Sequence, residues 1–122
     1  MAQEDKELLL KDLCARLPYG VIAKYKSREK EGEVKITYGN IRYVTELGNG
    51  WWKECKPYLR PMSSMTKKEK KEIDALFSPI GQELFSLPYV DWLNAHHFDY
   101  RGLIEKGLAL EAPKDMYNLK EK

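Results

Sequence analysis

The chain reads as an α+β single domain, a small antiparallel sheet packed against an N-terminal helix and two to three C-terminal helices. Three observations predict it. Leucines recur at helical spacing near the start, apolar residues alternate on both sides of Gly39-Asn40, and capped helical patterns punctuated by proline fill the second half. A length of 122 residues suits one core with no second module, so residues 1–122 form one domain. Three Trp, eight Tyr and three Phe supply apolar area that a disordered chain has no use for.

Residues 3–16 form the first helix. Acids fill its opening turn, where they complement the helix dipole, and Leu9, Leu10, Leu13, Cys14 and Leu17 keep helical spacing, which places Cys14 in the core. Pro18 and Gly20 end the helix, Val21 to Tyr25 alternates weakly as a strand, and Ser27 to Gly32 is a charged loop. A hairpin is expected over 33–47, with Gly39-Asn40 as a two-residue turn whose first position tolerates positive φ. That register pairs Tyr38 with Ile41, Ile36 with Tyr43 and Val34 with Thr45. Gly48-Asn49-Gly50 is a further turn, and Trp51 to Lys56 adds a strand that Pro57 stops.

Thr66 and Glu69 have the spacing of a capping box for a helix that buries Ile73, Leu76 and Phe77, turns its lysines to water and stops at Pro79. Residues 80–87 fit either class. Pro88 suits the first turn of a third helix over 88–96, with Tyr89, Trp92, Leu93 and His96 on one face. Asp99 can cap a short fourth helix that Gly107 closes, Leu108 to Glu111 is extended, and 113–122 is a frayed tail.

Charge and cysteine usage narrow the function classes. The 21 bases and 19 acids leave a net charge of +2, too even for bulk electrostatics to imply a nucleic-acid binder. Cys14 and Cys55 lack partners at metal-ligand spacing and read as reduced thiols of a cytoplasmic protein. The acidic N-terminus is unlike a signal peptide and no apolar run approaches a membrane span, so no membrane partner is expected.

Two clusters are candidate sites. Trp51, Trp52, Lys53, Lys56, Tyr58 and Arg60 interleave aromatics with bases, the composition of a surface that stacks on a ligand or grips phosphate. Adjacent tryptophans in a strand face opposite sides, so one of the two is core and the other is exposed or covered by the segment from Pro57 to Pro61. The second cluster, His96, His97 and Asp99 with Arg101, carries the side chains of acid-base or metal chemistry. Its spacing argues otherwise: neighbouring histidines on a helix diverge by about 100° and cannot grip one ion as an i, i+4 pair does. The structural alternative packs one imidazole, uses Asp99 as a cap and leaves Arg101 on the surface. The lysine run Lys67 to Lys71 is diluted by Glu69 and Glu72 and suits a solvated helix face, while Ser63 and Ser64 lack any nucleophile context. No cofactor motif and no metal-ligand set is present.

Three stretches carry a likeness beyond pattern: Leu8 to Gly20, Lys56 to Thr66, and Leu93 to Pro113 with its run His96-His97-Phe98-Asp99-Tyr100-Arg101-Gly102. In these the chain resembles a family of small uncharacterised proteins of Bacteroides-type gut bacteria and their prophages, while Glu31 to Glu54 and Phe77 to Val90 match least. The resemblance implies a prophage or other mobile-element setting and transfers no catalytic or binding residue. Three function classes therefore stand: a non-enzymatic binding or adaptor module with a protein partner, a weak nucleic-acid binder using Trp51 to Arg60, and a hydrolase or metal enzyme centred on His96, His97 and Asp99.

The predicted hairpin places Val34, Ile36 and Tyr43 on the core face and Lys35, Arg42 and Val44 on the other. Ile36→Ala is then expected to cost about 2–5 kcal/mol and Thr37→Ala about 0.5 kcal/mol or less in urea unfolding. Equal small effects would remove Ile36 from the core.

Overall fold

The computed structural model describes residues 3–47, 50–77, 87–113, 116 and 117, with backbone alone for 76, 77 and 87–89. The fold is mixed α+β, a four-stranded sheet with an N-terminal helix and further helices. Helix α1 (Gln3–Arg16) opens on Glu4 and Asp5 and closes on Arg16, the charge order that the helix dipole favours. A 3-10 turn over Leu17–Tyr19 follows, and Gly20 reverses the chain at φ 69°, a conformation a side chain would strain. The buried face of α1 corrects the expected stripe. Leu9 and Leu13 are buried, but Cys14 is exposed, and Asp12 and Arg16 take the remaining inward positions. They can do so because each satisfies the other: Arg16 Nε and Nη2 donate to the Asp12 carboxylate at 2.8 and 3.1 Å.

β1 (Ile22–Ser27) and β2 (Glu31–Lys35) form the hairpin, joined by the charged turn at 28–30. β3 (Trp52–Leu59) pairs antiparallel with the other edge of β1, and the short β4 (Leu110–Glu111) pairs parallel with β3, giving the order β2-β1-β3-β4. The hairpin expected over 33–47 does not form, and none of its three predicted pairs exists. Asn40 spends its side chain on the backbone instead, accepting the Thr37 N–H at 2.8 Å and donating to the Lys35 carbonyl at 2.9 Å. The chain then enters a one-turn helix α2 (Arg42–Thr45). Ile41, Val44 and Leu47 share a helical spacing of three, and burial of Val44 and Leu47 decides for that period over the alternating one. Val44, expected to face outward, is therefore core. Ile36 is buried, Val34 and Tyr43 pack against the core, and Lys35 and Arg42 are exposed, as expected, although by a different route.

Pro57 does not stop β3. It pairs with Ala23 as the last rung of the β1·β3 ladder, one residue before β4 joins the opposite edge at Tyr58, so its missing N–H falls where both ladders end. One face of the sheet carries the core. Ala23, Cys55, Leu59 and Ile36 meet Leu9 and Leu13 there, while Lys24, Lys26, Glu31, Glu33, Lys35 and Glu54 are exposed. Burial pushes the Cys55 thiol up to about 12.

α3 (Lys67–Phe77) begins with the capping box read from the sequence: Thr66 N–H donates to Glu69 Oε1 at 2.9 Å and Glu69 N–H to Thr66 Oγ1 at 3.1 Å. Ile73 joins Leu93 and Phe98 in a second, smaller core, while the side chains of Leu76, Phe77 and Tyr89, the stop at Pro79 and the turn at Gly48-Asn49 lie outside the described residues. α4 (Leu87–Ala95) ends in a Schellman motif, with Phe98 N–H donating to Leu93 O at 3.0 Å and His97 N–H to Asn94 O at 3.1 Å. The expected fourth helix is reduced to turns over 103–107. Gly107, at φ 78°, closes them with the same bond pattern, Leu108 N–H to Leu103 O and Gly107 N–H to Ile104 O.

The tail expected to fray over 113–122 is anchored at Tyr117. Beyond Ala23↔Pro57 the next rung would join Ile22 to Tyr58, and the Tyr117 hydroxyl takes that place. It accepts the Ile22 N–H at 2.8 Å and lies 2.8 Å from the Tyr58 carbonyl. Tyr117→Phe leaves the Ile22 N–H unpaired and is expected to cost about 1–3 kcal/mol in urea unfolding. An unchanged midpoint would show that water replaces the hydroxyl at no cost.

Candidate functional site

A β-bulge organises the aromatic residues singled out from the sequence. Lys26 pairs with Glu54 but Ser27 pairs with Trp52, so Lys53 is the extra residue. Regular alternation from the inward Cys55 would turn Lys53 in and Trp52 out. The bulge reverses this: Trp52 is buried and stacks on Tyr25 at 5.2 Å and 25°, with Tyr43 tilted against it at 5.2 Å. Trp51, the neighbour, is 71% exposed. The segment from Pro57 to Pro61 does not cover it.

These residues floor a cleft of about 1100 Å³ between the turn of the β1·β2 hairpin and the start of β3. Tyr25, Tyr43, Trp51 and Trp52 supply aromatic surface. Arg28, Lys30 and Lys53 bring positive charge, and Glu29, Glu33 and Glu46 bring negative charge. Of the six predicted binding residues, Trp51, Trp52 and Lys53 line this cleft and the other three do not. Lys56 stands on the open sheet face opposite Lys24. Tyr58 is buried, with its hydroxyl donating to Glu33 at 3.0 Å. Arg60 is committed to Glu69 in a bidentate pair at 2.7 and 2.9 Å and lies 4.1 Å over the Phe98 ring. Burial works to raise the Glu69 carboxyl, but Arg60 and the Thr66 cap prevail and hold it below the usual range.

The histidine cluster is spent on structure. His96 stacks on Trp92 at 3.9 Å, with Nδ1 2.9 Å from the Trp92 carbonyl and Nε2 4.0 Å from Glu72. His97 is buried and stacks on Tyr117 at 3.8 Å. Asp99 accepts the Leu103 and Ile104 amides at 2.8 and 2.9 Å, one on each oxygen, the cap expected of it. The three side chains turn to different partners and do not converge on a common atom. Arg101, expected on the surface, is half-buried and donates to Asp12 at 2.8 Å. Among the described residues no group of three or more His, Cys, Asp or Glu is arranged to hold a metal ion. No helix is long and apolar enough to cross a membrane among those residues.

Sequence reading missed Tyr25, Tyr43 and Glu46 as parts of this cleft. Tyr25 is signalled only by register, standing across from Cys55, and Tyr43 only by the helical period of α2. Compared with known proteins, the chain matches no family model, no curated protein and no solved structure.

Burial, and then the positive charges of Arg16, His96 and Arg60, push the His97 imidazole down to about 3 from an ordinary 6.5. The unfolded chain therefore takes up a proton below pH 6.5 that the folded chain refuses, and stability is expected to fall as pH drops from 6.5 towards 3. The slope from this one proton approaches about 1.4 kcal/mol per pH unit. Urea midpoints between pH 7 and 5 should show that slope in the native chain and in His96→Asn, and lose it in His97→Asn. A slope that survives in His97→Asn would assign it to another group.

Proposed function

We propose that this chain is a non-enzymatic binding module, an adaptor that takes an extended segment of a partner protein in the aromatic cleft. The exposed indole of Trp51, set at the rim of a cleft floored by the Tyr25–Trp52 stack, carries the reading. A large aromatic left in water beside a formed concavity is the kind of residue that anchors interfaces, because its burial on binding returns much free energy at small entropic cost. The charges select among ligands. Glu29 and Glu46, with Glu33 at the edge where it accepts from Tyr58, line the same space as three bases, which disfavours a phosphate backbone and suits a peptide carrying both signs. The module acts in the cytoplasm, in the prophage or mobile-element setting that the family resemblance implies.

A displayed random-peptide library selected on the native chain and on Trp51→Ala tests the proposal. Peptides enriched on the native chain should bind Trp51→Ala at least about tenfold more weakly, a loss of about 1.4 kcal/mol. The unfolding midpoint should stay unchanged, since Trp51 is exposed. Equal enrichment on both proteins would overturn the reading, and salt-sensitive binding of single-stranded DNA in its place would favour the nucleic-acid alternative.

A further inference from the structure

We infer that the free edge of β2 receives the partner segment as a fifth, antiparallel strand whose alternate side chains point over the aromatic cleft. This rests on the cleft being the binding site and adds to it a mode of binding and a sequence preference.

Among the described residues β2 is an outermost strand, and two bonds fix which of its backbone groups turn away from β1. Ser27 N–H donates to Lys30 O at 2.8 Å and Ile36 N–H to Val21 O at 2.9 Å, so the even-numbered residues of β2 turn their backbone groups to β1. Glu31, Glu33 and Lys35 turn theirs outward. The edge has a defined end. The Asn40 side chain already holds the Lys35 carbonyl and the Thr37 N–H, standing where the next residue of a pairing strand would bond. Among the described residues the N–H groups of Glu31, Glu33 and Lys35 and the carbonyls of Glu31 and Glu33 are left, enough for five residues of partner backbone.

The side chains alternate in the same register. Glu31, Glu33 and Lys35 are exposed, while Gly32 and Val34 share the face of Tyr25 and Ala23. Glu33 and Val34 both line the cleft, which makes the edge continuous with it. An added antiparallel strand meets Lys35 first, then Val34, Glu33, Gly32 and Glu31. Charge complementarity asks for an acid opposite Lys35 and bases opposite Glu33 and Glu31, with apolar residues between them over the cleft. The same charges repel strands of the wrong pattern, which keeps an exposed edge from pairing indiscriminately.

The probe is acetyl-Glu-Val-Lys-Ile-Lys-amide, and the control is its charge reversal, acetyl-Lys-Val-Glu-Ile-Glu-amide. Each is titrated into the full ¹⁵N-labelled chain up to about 1 mM, the weak end of specific affinity. The expected result is saturable movement of the Glu31, Glu33 and Lys35 amides and of the Trp51 indole with the probe alone. Glu33→Pro, which removes an outward N–H together with the carboxylate that accepts from Tyr58, should abolish it. Glu31→Lys with Glu33→Lys and Lys35→Glu, which reverses all three edge charges, should transfer the response to the control peptide, and this holds the inference to account even where the proline variant does not fold. Movement of the indoles with still edge amides would overturn strand addition and leave the cleft reading standing. Movement of the edge amides with a still Trp51 would overturn the cleft reading and, with it, the placement of the added strand over the cleft. No movement, or equal response to both peptides, would overturn the inference.

Discussion

A buried guanidinium ties the beginning of this chain to its end. Arg16 is fully buried, and it is neutralised one helical turn earlier by Asp12. Its Nη2 also donates to the carbonyl of Phe98, 82 residues away in sequence, at 2.6 Å. Arg101 reaches the same Asp12 carboxylate at 2.8 Å, so one buried acid serves two bases. Charges out of water are tolerated only when such partners are in place, and loss of one partner typically costs about 3–5 kcal/mol. The cluster therefore fixes the end of α1 against the turn after α4. The chain leaves α1 through Gly20 directly into β1, so the same cluster places the strand on which β2 and β3 both pair.

From that placement follow two unlike faces of one sheet. The dry face carries the core and, at its end, the aromatic floor that the bulge at Lys53 completes by swinging Trp52 inward. The wet face alternates lysine and glutamate. A site at the border between them has aromatic depth from one and charge of both signs from the other, which is the combination that distinguishes the cleft from the histidine cluster. There the Asp99 carboxylate is taken up by the Leu103 and Ile104 amides, and the His96 Nδ1 lies against the Trp92 carbonyl.

Local signals were legible in the sequence where one element decided them alone. α1 runs over the residues its acids, leucines and proline mark out, and Thr66 and Glu69 cap α3 because the box needs only its own four residues. Failures came where two periods fit the same letters. Ile41 to Leu47 supports alternation through Tyr43 and a helix through Val44, and only the presence of Leu9 and Leu13 above the sheet selects the second. Gly39-Asn40 is a sound turn signal, but the Asn40 amide closes β2 instead of joining two strands. Half of the binding stretch was misplaced for a similar reason. Arg60 and Tyr58 look available in the sequence, and their occupants, Glu69 and Glu33, are brought to them by α3 and by a hairpin the pattern did not reveal.

His97 shows how local strain is held by long-range contact. The C′ position of a Schellman motif favours glycine, and Gly107 fills it in the second of the two motifs. At the first a histidine sits at φ 63°, a conformation costing about 1 kcal/mol or more for a residue with a Cβ. Glycine would remove the strain and also the imidazole on which Tyr117 stacks. Tyr117 in turn supplies the hydroxyl that closes the gap between Ile22 and Tyr58. The strained residue thus supports the far end of the β1·β3 ladder, opposite the bulge that shapes the cleft, and the chain carries a buried, uncharged histidine there because a flat ring is needed at a sharp turn. Chemistry at the imidazole is not required to explain its place.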